Sequence, residues 1–289
     1  MVEHFVSVGY MDIQKEYVVS RVLTYLMLLY NHHYDMPSLL NDLLSTYRIC
    51  CLHNNRILCV APCVAPHVQS ALYNCILRVY ISARQYLTAS HFLSTAEFPS
   101  DVSDKQFLRF SYYRALVSAV LLDYTEAEHS LFAVHKKSGG QETGPFYEEV
   151  AKLSILVKLL IGENPEVAVA ARNRRLAPYV ELARVVMRGD LDAYRRVVEE
   201  RRAVFAVDGL DRIVSRWGPS GTLICRLHNT VIRIALVKLS KSYSRISLAE
   251  VATILQLDGP EEACYTCMRV GLEGNVERRI FETRSLRDA

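Results

Sequence analysis

The stretch Ser247-Leu248-Ala249-Glu250-Val251-Ala252-Thr253-Ile254-Leu255-Gln256-Leu257-Asp258-Gly259-Pro260-Glu261-Glu262-Ala263 decides how the chain is read. Ser247 with Glu250 three residues on is a capping box, in which each side chain satisfies the other residue's free backbone N–H, so it opens a helix over Leu248 to Leu257. Asp258-Gly259-Pro260 turns the chain, and Pro260 sits well at the first position of a new helix, where no N–H is needed. Glu261 and Glu262 follow where negative charge complements the positive helix end, and the helix runs to Glu273. Two short helices joined by a tight glycine turn form a helix-turn-helix. Short strands at Arg245-Ile246 and at Val276 to Phe281 would complete a winged helix.

Upstream, Leu223 to Leu239 reads as a long amphipathic helix. The segment before it, Asp208 to Gly221, carries Gly209, Gly218, Pro219 and Gly221 and breaks the helical run. The expected division is therefore 1–207, a helical-repeat solenoid; 208–221, a connection; and 222–289, the winged-helix part.

Within the solenoid a unit recurs. Tyr86-Leu87-Thr88-Ala89 with Leu93 returns 38 residues later as Tyr124-Thr125-Glu126-Ala127 with Leu131, each after an apolar helix, Leu72 to Ile81 and Phe107 to Leu122. A weaker copy is Leu191-Asp192-Ala193-Tyr194, after a helix Tyr179 to Arg188 and the Gly189-Asp190 turn. That spacing falls in the range of tetratricopeptide-like helix pairs. Alanine lets two antiparallel helices approach, tyrosine fills the groove at their turn, and such pairs bury their faces only by stacking. Further helices are expected over Glu16 to Tyr30, Phe146 to Ile161 closed by Gly162, and Leu191 to Phe205. Arg48 to Pro66, with Pro62 and Pro66, reads as a connection or an irregular helix end. The fold class is all-α: a right-handed solenoid of helix pairs followed by a winged helix.

The totals agree. In 289 residues, 51% are apolar and 22% charged, with 12 Gly and 9 Pro, the balance of an ordered protein. The 34 basic and 31 acidic residues nearly cancel, to +3, which argues against general binding to nucleic acid or membrane surfaces. No stretch is apolar enough to span a bilayer, and Met1-Val2-Glu3-His4-Phe5 carries acid where a secretory signal carries base. Eight cysteines in an intracellular chain of this size read as reduced thiols.

Chemical motifs are missing. Cys264-Tyr265-Thr266-Cys267 has the spacing of half a zinc site without a second pair nearby, and Cys264, Cys267 and Met268 read as core. Cys50, Cys51, His53, Cys59, Cys63 and His67 are enough ligands but lack regular spacing. Lys137-Ser138-Gly139-Gly140 lacks the ending of a phosphate loop, and neither a nucleophile elbow nor a His-Glu-x-x-His is present. We expect no enzyme, no cofactor and no metal. DNA reading is disfavoured because Pro260 to Glu273 sets Glu261, Glu262 and Glu273 against Arg269 alone.

The run Tyr243 to Ala252, with Leu255-Gln256-Leu257-Asp258 and Pro260-Glu261-Glu262-Ala263, looks like the winged-helix half of a PCI domain. It is most similar to the family of the third non-ATPase subunit of the proteasome regulatory particle. Cys225 to Ile232, Leu122 to Ala127, Leu159 to Pro165, Leu176 to Tyr179 and Arg188 to Leu191 resemble that family too, in register over roughly Val68 to Glu273. The resemblance implies a scaffold subunit of the lid, in the cytoplasm and nucleus, held in a hetero-oligomeric complex with other PCI subunits. It implies no catalytic residues. Related PCI subunits of the signalosome or a translation-initiation complex, and a winged-helix nucleic-acid binder, are the alternatives. Little wing and no long helix are expected before Ala289, although the family's C-terminal helix joins a bundle of lid subunits.

Two surfaces follow. Winged-helix edges pair with neighbouring chains, which points to Tyr243, Arg245, Ile246 and Val276. Between Arg172 and Arg202 stand nine arginines against five acids. Arginine forks pair carboxylates well, so Arg195, Arg196, Arg201 and Arg202 are candidates for an acidic partner, and the resemblance implies a small, acidic, largely disordered lid subunit.

Overall fold

The computed structural model describes residues 18, 21–22, 25, 40–48, 66–99, 102–138, 144–165, 173–207, 223–243, 246–257 and 259–273. Every regular element among them is an α-helix. These are α1 (Pro66–Ser82), α2 (Tyr86–Thr95), α3 (Asp104–Val120), α4 (Tyr124–Ser138), α5 (Pro145–Ile161), α6 (Ala177–Arg188), α7 (Leu191–Glu200), α8 (Arg202–Val207), α9 (Leu223–Ser242), α10 (Leu248–Leu255) and α11 (Pro260–Glu273), with a further helical stretch at 40–48. They fall into two compact units, Met1–Gly144 and Pro145–Ala289.

In the first unit, α1 with α2 and α3 with α4 are the two expected helix pairs. Ala89 and Ala127, the small residues of the recurring motif, have no exposed surface, which is what close helix approach requires. Tyr86 and Tyr124 are half-buried. Tyr73 on α1 is the hub of the core. Its ring lies 4.6 Å from Phe92, 5.4 Å from Phe98, 5.5 Å from Phe110 and 6.1 Å from Tyr47. Its hydroxyl donates to the Ala96 carbonyl at 3.1 Å, so the phenol is buried with its polar end satisfied. Asn74 donates to both the side chain and the carbonyl of Gln106, at 2.8 and 3.0 Å, which fixes α1 against α3.

The turns repeat as well. After α1, Arg84 takes φ 61°, and Gln85 N–H reaches back to the Tyr80 carbonyl. After α3, Leu122 takes φ 76°, and Asp123 N–H reaches the Ser118 carbonyl. Gly162 with Glu163 and Gln256 with Leu257 make the same six-residue closure. One left-handed residue thus ends four helices in one way. Asp123 then caps α4 by accepting from Glu126 N–H at 3.1 Å.

Several expectations change. The weak third copy keeps the plan with a substitution: Asp190 caps α7 by accepting from Ala193 N–H at 3.0 Å, but the buried position one turn in is filled by Tyr194, not by Ala193. The helix expected from Leu191 to Phe205 is broken at Arg201, which forms a turn between α7 and α8. Met268 is 59% exposed, whereas Cys267 is buried and Cys264 half-buried, because the side of α11 that packs inward passes through Ala263 and Cys267. Of the helix expected over Glu16 to Tyr30, residues 18, 21, 22 and 25 are described; they are helical, with Val18 and Val22 exposed. The 49–65 connection, the 208–221 segment, and Cys50, Cys51, His53, Cys59 and Cys63 lie outside the described residues. So do Arg245 and the proposed strand Val276 to Phe281.

Candidate protein interface

In the second unit α9 supplies the framework on which the candidate surfaces stand. Leu223, Leu227, Val231 and Leu236 bury its apolar side, and two cations on it cap other helices. Arg233 donates to the Ile161 carbonyl at the end of α5, at 2.6 Å. Lys238 donates to the Met187 and Arg188 carbonyls at the end of α6, at 3.0 and 2.9 Å. A cation at a helix C-terminus meets both unpaired carbonyls and the negative end of the dipole. Gly189, in the left-handed region at φ 69°, lets that end of α6 come close: a Cβ there would stand 3.0 Å from the Ala235 backbone nitrogen.

α7 docks on α9 through Tyr194, whose ring lies 6.3 Å from that of His228. Burial holds the His228 imidazole below its ordinary pKa; Arg195 adds to the shift and Glu262 opposes it. The start of α6 is fixed by Glu148 on α5, which accepts from Asn173 at 3.1 Å and from Arg175 at 3.0 Å. Those two hydrogen bonds hold its carboxyl below the usual range. Lys152 is only 3% exposed, yet it keeps its charge partner Glu149 at 2.8 Å and lies 5.8 Å from the centre of the Tyr179 ring.

The four arginines of the expected acidic-partner surface are exposed on α7 and at its end. Arg195 donates to the Gln256 side chain at 2.9 Å, and the Gln256 amide donates to Asp192 at 2.7 Å, joining α7 to the end of α10. Arg201 pairs with Glu181 at 3.2 Å and Arg202 with Glu199 at 3.6 Å. Among the described residues Arg196 reaches the Asp192 carbonyl, at 3.5 Å. The four therefore share one region, three of them already holding an internal partner. Long-range capping by Arg233 and Lys238 leaves no sequence signal, since the carbonyls they reach lie 72 and about 50 residues away. Of the expected edge, Tyr243 is 49% exposed and Ile246 half-buried, and neither is in a strand.

The helix-turn-helix forms as the sequence implies. Ser247 accepts from Glu250 N–H at 3.2 Å, and Glu250 accepts from Ser247 N–H at 3.1 Å. The second helix, α11, presents Glu261, Glu262 and Tyr265 to solvent in its first turns, chemistry suited to protein contact and unsuited to phosphate. Among the described residues no cluster of His, Cys, Asp and Glu is arranged to hold a metal, and no helix is long and apolar enough to cross a membrane.

A family model described as PSMD3-like, N-terminal TPR repeats, matches residues 15–183, and the PCI domain model matches 193–280. The chain is 34% identical over 244 residues to the probable 26S proteasome regulatory subunit rpn3 of Schizosaccharomyces pombe, covering 83% of this chain and 45% of that protein. It is 33% identical over 246 residues to the probable 26S proteasome non-ATPase regulatory subunit 3 of Nicotiana tabacum, covering 84% and 46%. It is 30% identical over 243 residues to the 26S proteasome non-ATPase regulatory subunit 3 of Dictyostelium discoideum, covering 83% and 44%. The chain thus spans less than half the length of these curated relatives.

Proposed function

Because the chain belongs to the family of 26S proteasome non-ATPase regulatory subunit 3, we propose that it is a structural scaffold subunit of the lid of the regulatory particle, acting through contacts with other subunits and without catalysis of its own. The observation that carries this is the order of the two matches along one chain, tetratricopeptide-like pairs followed by a PCI domain. Its work supports ATP-dependent degradation of ubiquitinated proteins, in the cytoplasm and nucleus.

Two contacts are proposed within that role. Neighbouring PCI subunits pair along the edge that contains Tyr243, Arg245, Ile246 and Val276. A small acidic, disordered subunit lies against Arg195, Arg196, Arg201 and Arg202. Their present partners do not forbid this, since exposed ion pairs such as Arg202 with Glu199 are worth only about 0–1 kcal/mol and exchange readily for a multivalent acidic chain.

Native co-purification of the tagged chain tests the assignment: proteasomal ATPases and lid subunits are expected, and recovery of ribosomes or chromatin in their place would reject it. Reversal of the four arginines to Glu should weaken capture of the acidic subunit and reduce its salt dependence while helical content stays unchanged. For the edge, a folded Ile246→Pro chain should enter the complex poorly and Glu262→Ala normally; the opposite result places the interface on α11.

A further inference from the structure

In the first unit the helical stretch 40–48, α1 and α2 bound a groove of about 530 Å³. Tyr47, Tyr80 and Phe92 give it an apolar floor: the Phe92 ring lies 5.6 Å from that of Tyr47 and 6.1 Å from that of Tyr80, and Leu44 extends the patch. Along α2 the lining residues are Thr88, His91, Phe92 and Thr95, three and four apart, so one side of that helix forms a wall two turns long. Gln69 and Tyr80 on α1 both line the groove and stand eleven residues apart, which is about 16 Å at a helical rise of about 1.5 Å per residue. The groove is thus as long as about three turns of helix.

Its walls select among occupants by their hydrogen bonds. The backbone there is already paired within helices, and Thr95 donates its hydroxyl to the His91 carbonyl at 2.8 Å. An extended segment would carry its own N–H and C=O groups into the groove and find only side chains to meet them, whereas a helix arrives with those groups paired. Charge narrows the choice further. Arg48 lines the groove from the stretch 40–48, and Glu97 lines it just beyond the end of α2. Both are exposed, and among the described residues neither is in an ion pair. One cation and one anion beside an apolar floor suit a partner that carries both signs, and set this groove apart from a surface for a uniformly acidic chain.

We propose that this groove seats an amphipathic helix of a partner protein, about three turns long, with its apolar stripe on Tyr47, Tyr80 and Phe92, an acidic side chain facing Arg48 and a basic one facing Glu97. Apolar anchors at three- and four-residue steps would then meet the three rings, where most of the binding energy lies. The two charges sit at the exposed rim, so they select the partner more than they hold it.

Fluorescence anisotropy of the full chain tests this with a labelled alanine-based peptide of about fourteen residues, locked helical by a lactam bridge because a free helix of that length is marginal. The probe carries leucines at i, i+3, i+4 and i+7, with one glutamate and one lysine flanking the stripe. It should bind one to one. Thr88→Trp, which fills the groove from an exposed position on α2, should weaken binding by about tenfold or more and leave the melting temperature unchanged, so that lost binding is not lost folding. Arg48→Glu should weaken the probe by about fivefold but have no effect on a probe with glutamine in place of its glutamate; Glu97→Lys should behave likewise toward the lysine. Reversal of Arg195, Arg196, Arg201 and Arg202 to Glu should leave the probe's affinity unchanged, so failure here and failure of the acidic-subunit assignment are told apart. No binding, equal affinity in Thr88→Trp, or charge effects that ignore the probe's own charges would overturn the site. A peptide of the same composition broken by two prolines that binds as tightly would make the occupant an extended segment, and a dimer in sedimentation that Thr88→Trp dissolves would make it a second copy of this chain; either result rejects the proposed helix.

Discussion

The hydroxyl of Tyr194 donates to the main-chain carbonyl of Ile224 at 2.6 Å, across 30 residues of chain and within the core. It joins α7 to the first turn of α9, at a position that α2 and α4 fill with alanine. Burial drives the phenol pKa far up, so the group stays a donor at any working pH. Tyr194→Phe keeps the ring against His228 and removes only the hydroxyl. A buried carbonyl that loses a partner costs about 1–3 kcal/mol, and urea unfolding should show a loss in that range. Tyr243→Phe, at an exposed ring, should stay within about 0.5 kcal/mol of the parent.

The left-handed turn residues give opposite signs at two sites. Leu122 holds φ 76° with its side chain 62% exposed, so it has strain and little packing to set against it. Leu122→Gly should stabilise the chain by about 1 kcal/mol, since the left-handed conformation costs a residue with a Cβ about 1–2 kcal/mol. Gly189→Ala should destabilise by more than about 1 kcal/mol, because that strain is joined by crowding against Ala235. Thermal unfolding of the two variants should move in opposite directions.

These turns also show where the sequence stops being legible. The helix pairs could be read because Ala89 and Ala127 answer a local demand, close packing one turn into a helix, and recur at one spacing. Gly162 and Gly189 mark their helix ends because glycine is the residue that conformation favours. Arg84, Leu122 and Gln256 take the same conformation without any such mark, in turns closed by backbone hydrogen bonds that no side chain announces. Ser247 and Glu250 revealed the helix-turn-helix because a capping box is written within four residues. The arginine-rich surface could be seen as composition, but Gln256 standing between Arg195 and Asp192 could not, as it depends on how α10 ends beside α7. Met268 was misread because helical spacing tells which residues share a side and not which side packs inward.

Two titrations should separate by pH. His228 is held neutral by burial, so its folded pKa lies below the unfolded value near 6.5. The unfolded chain then binds the proton first, and stability that is complete above about 6.5 is lost as pH falls from there toward the folded pKa. Glu148 has a lowered folded pKa as well; its contribution is complete above the ordinary carboxyl value of 4.5 and is lost as pH falls through the folded one. His228→Gln should flatten the upper part of the stability profile and leave the lower part, while Glu148→Gln should do the reverse. Chemical denaturation between pH 8 and 3 checks both; a parent profile flat from 7 to 5 would remove the His228 assignment.

Lys238 offers the sharpest test of α9 as a framework. Its ammonium bonds two carbonyls at the end of α6, while Lys241, three residues further along the same helix, is exposed without a hydrogen-bonding partner among the described residues. Removing each charge while keeping an apolar stem separates capping from net charge, since both variants change the total by the same amount. Lys238→Met should cost about 1 kcal/mol, the sum expected from charge-assisted bonds and the helix dipole at an exposed site. Lys241→Met should cost less than about 0.5 kcal/mol. The difference should shrink in high salt, because the site faces solvent and its electrostatic part is screened. Hydrogen exchange should also quicken at the end of α6 in Lys238→Met alone, since the cap holds that end closed. Equal losses in the two variants, with no change in exchange at Arg188, would mean that Lys238 acts through net charge and does not cap the helix.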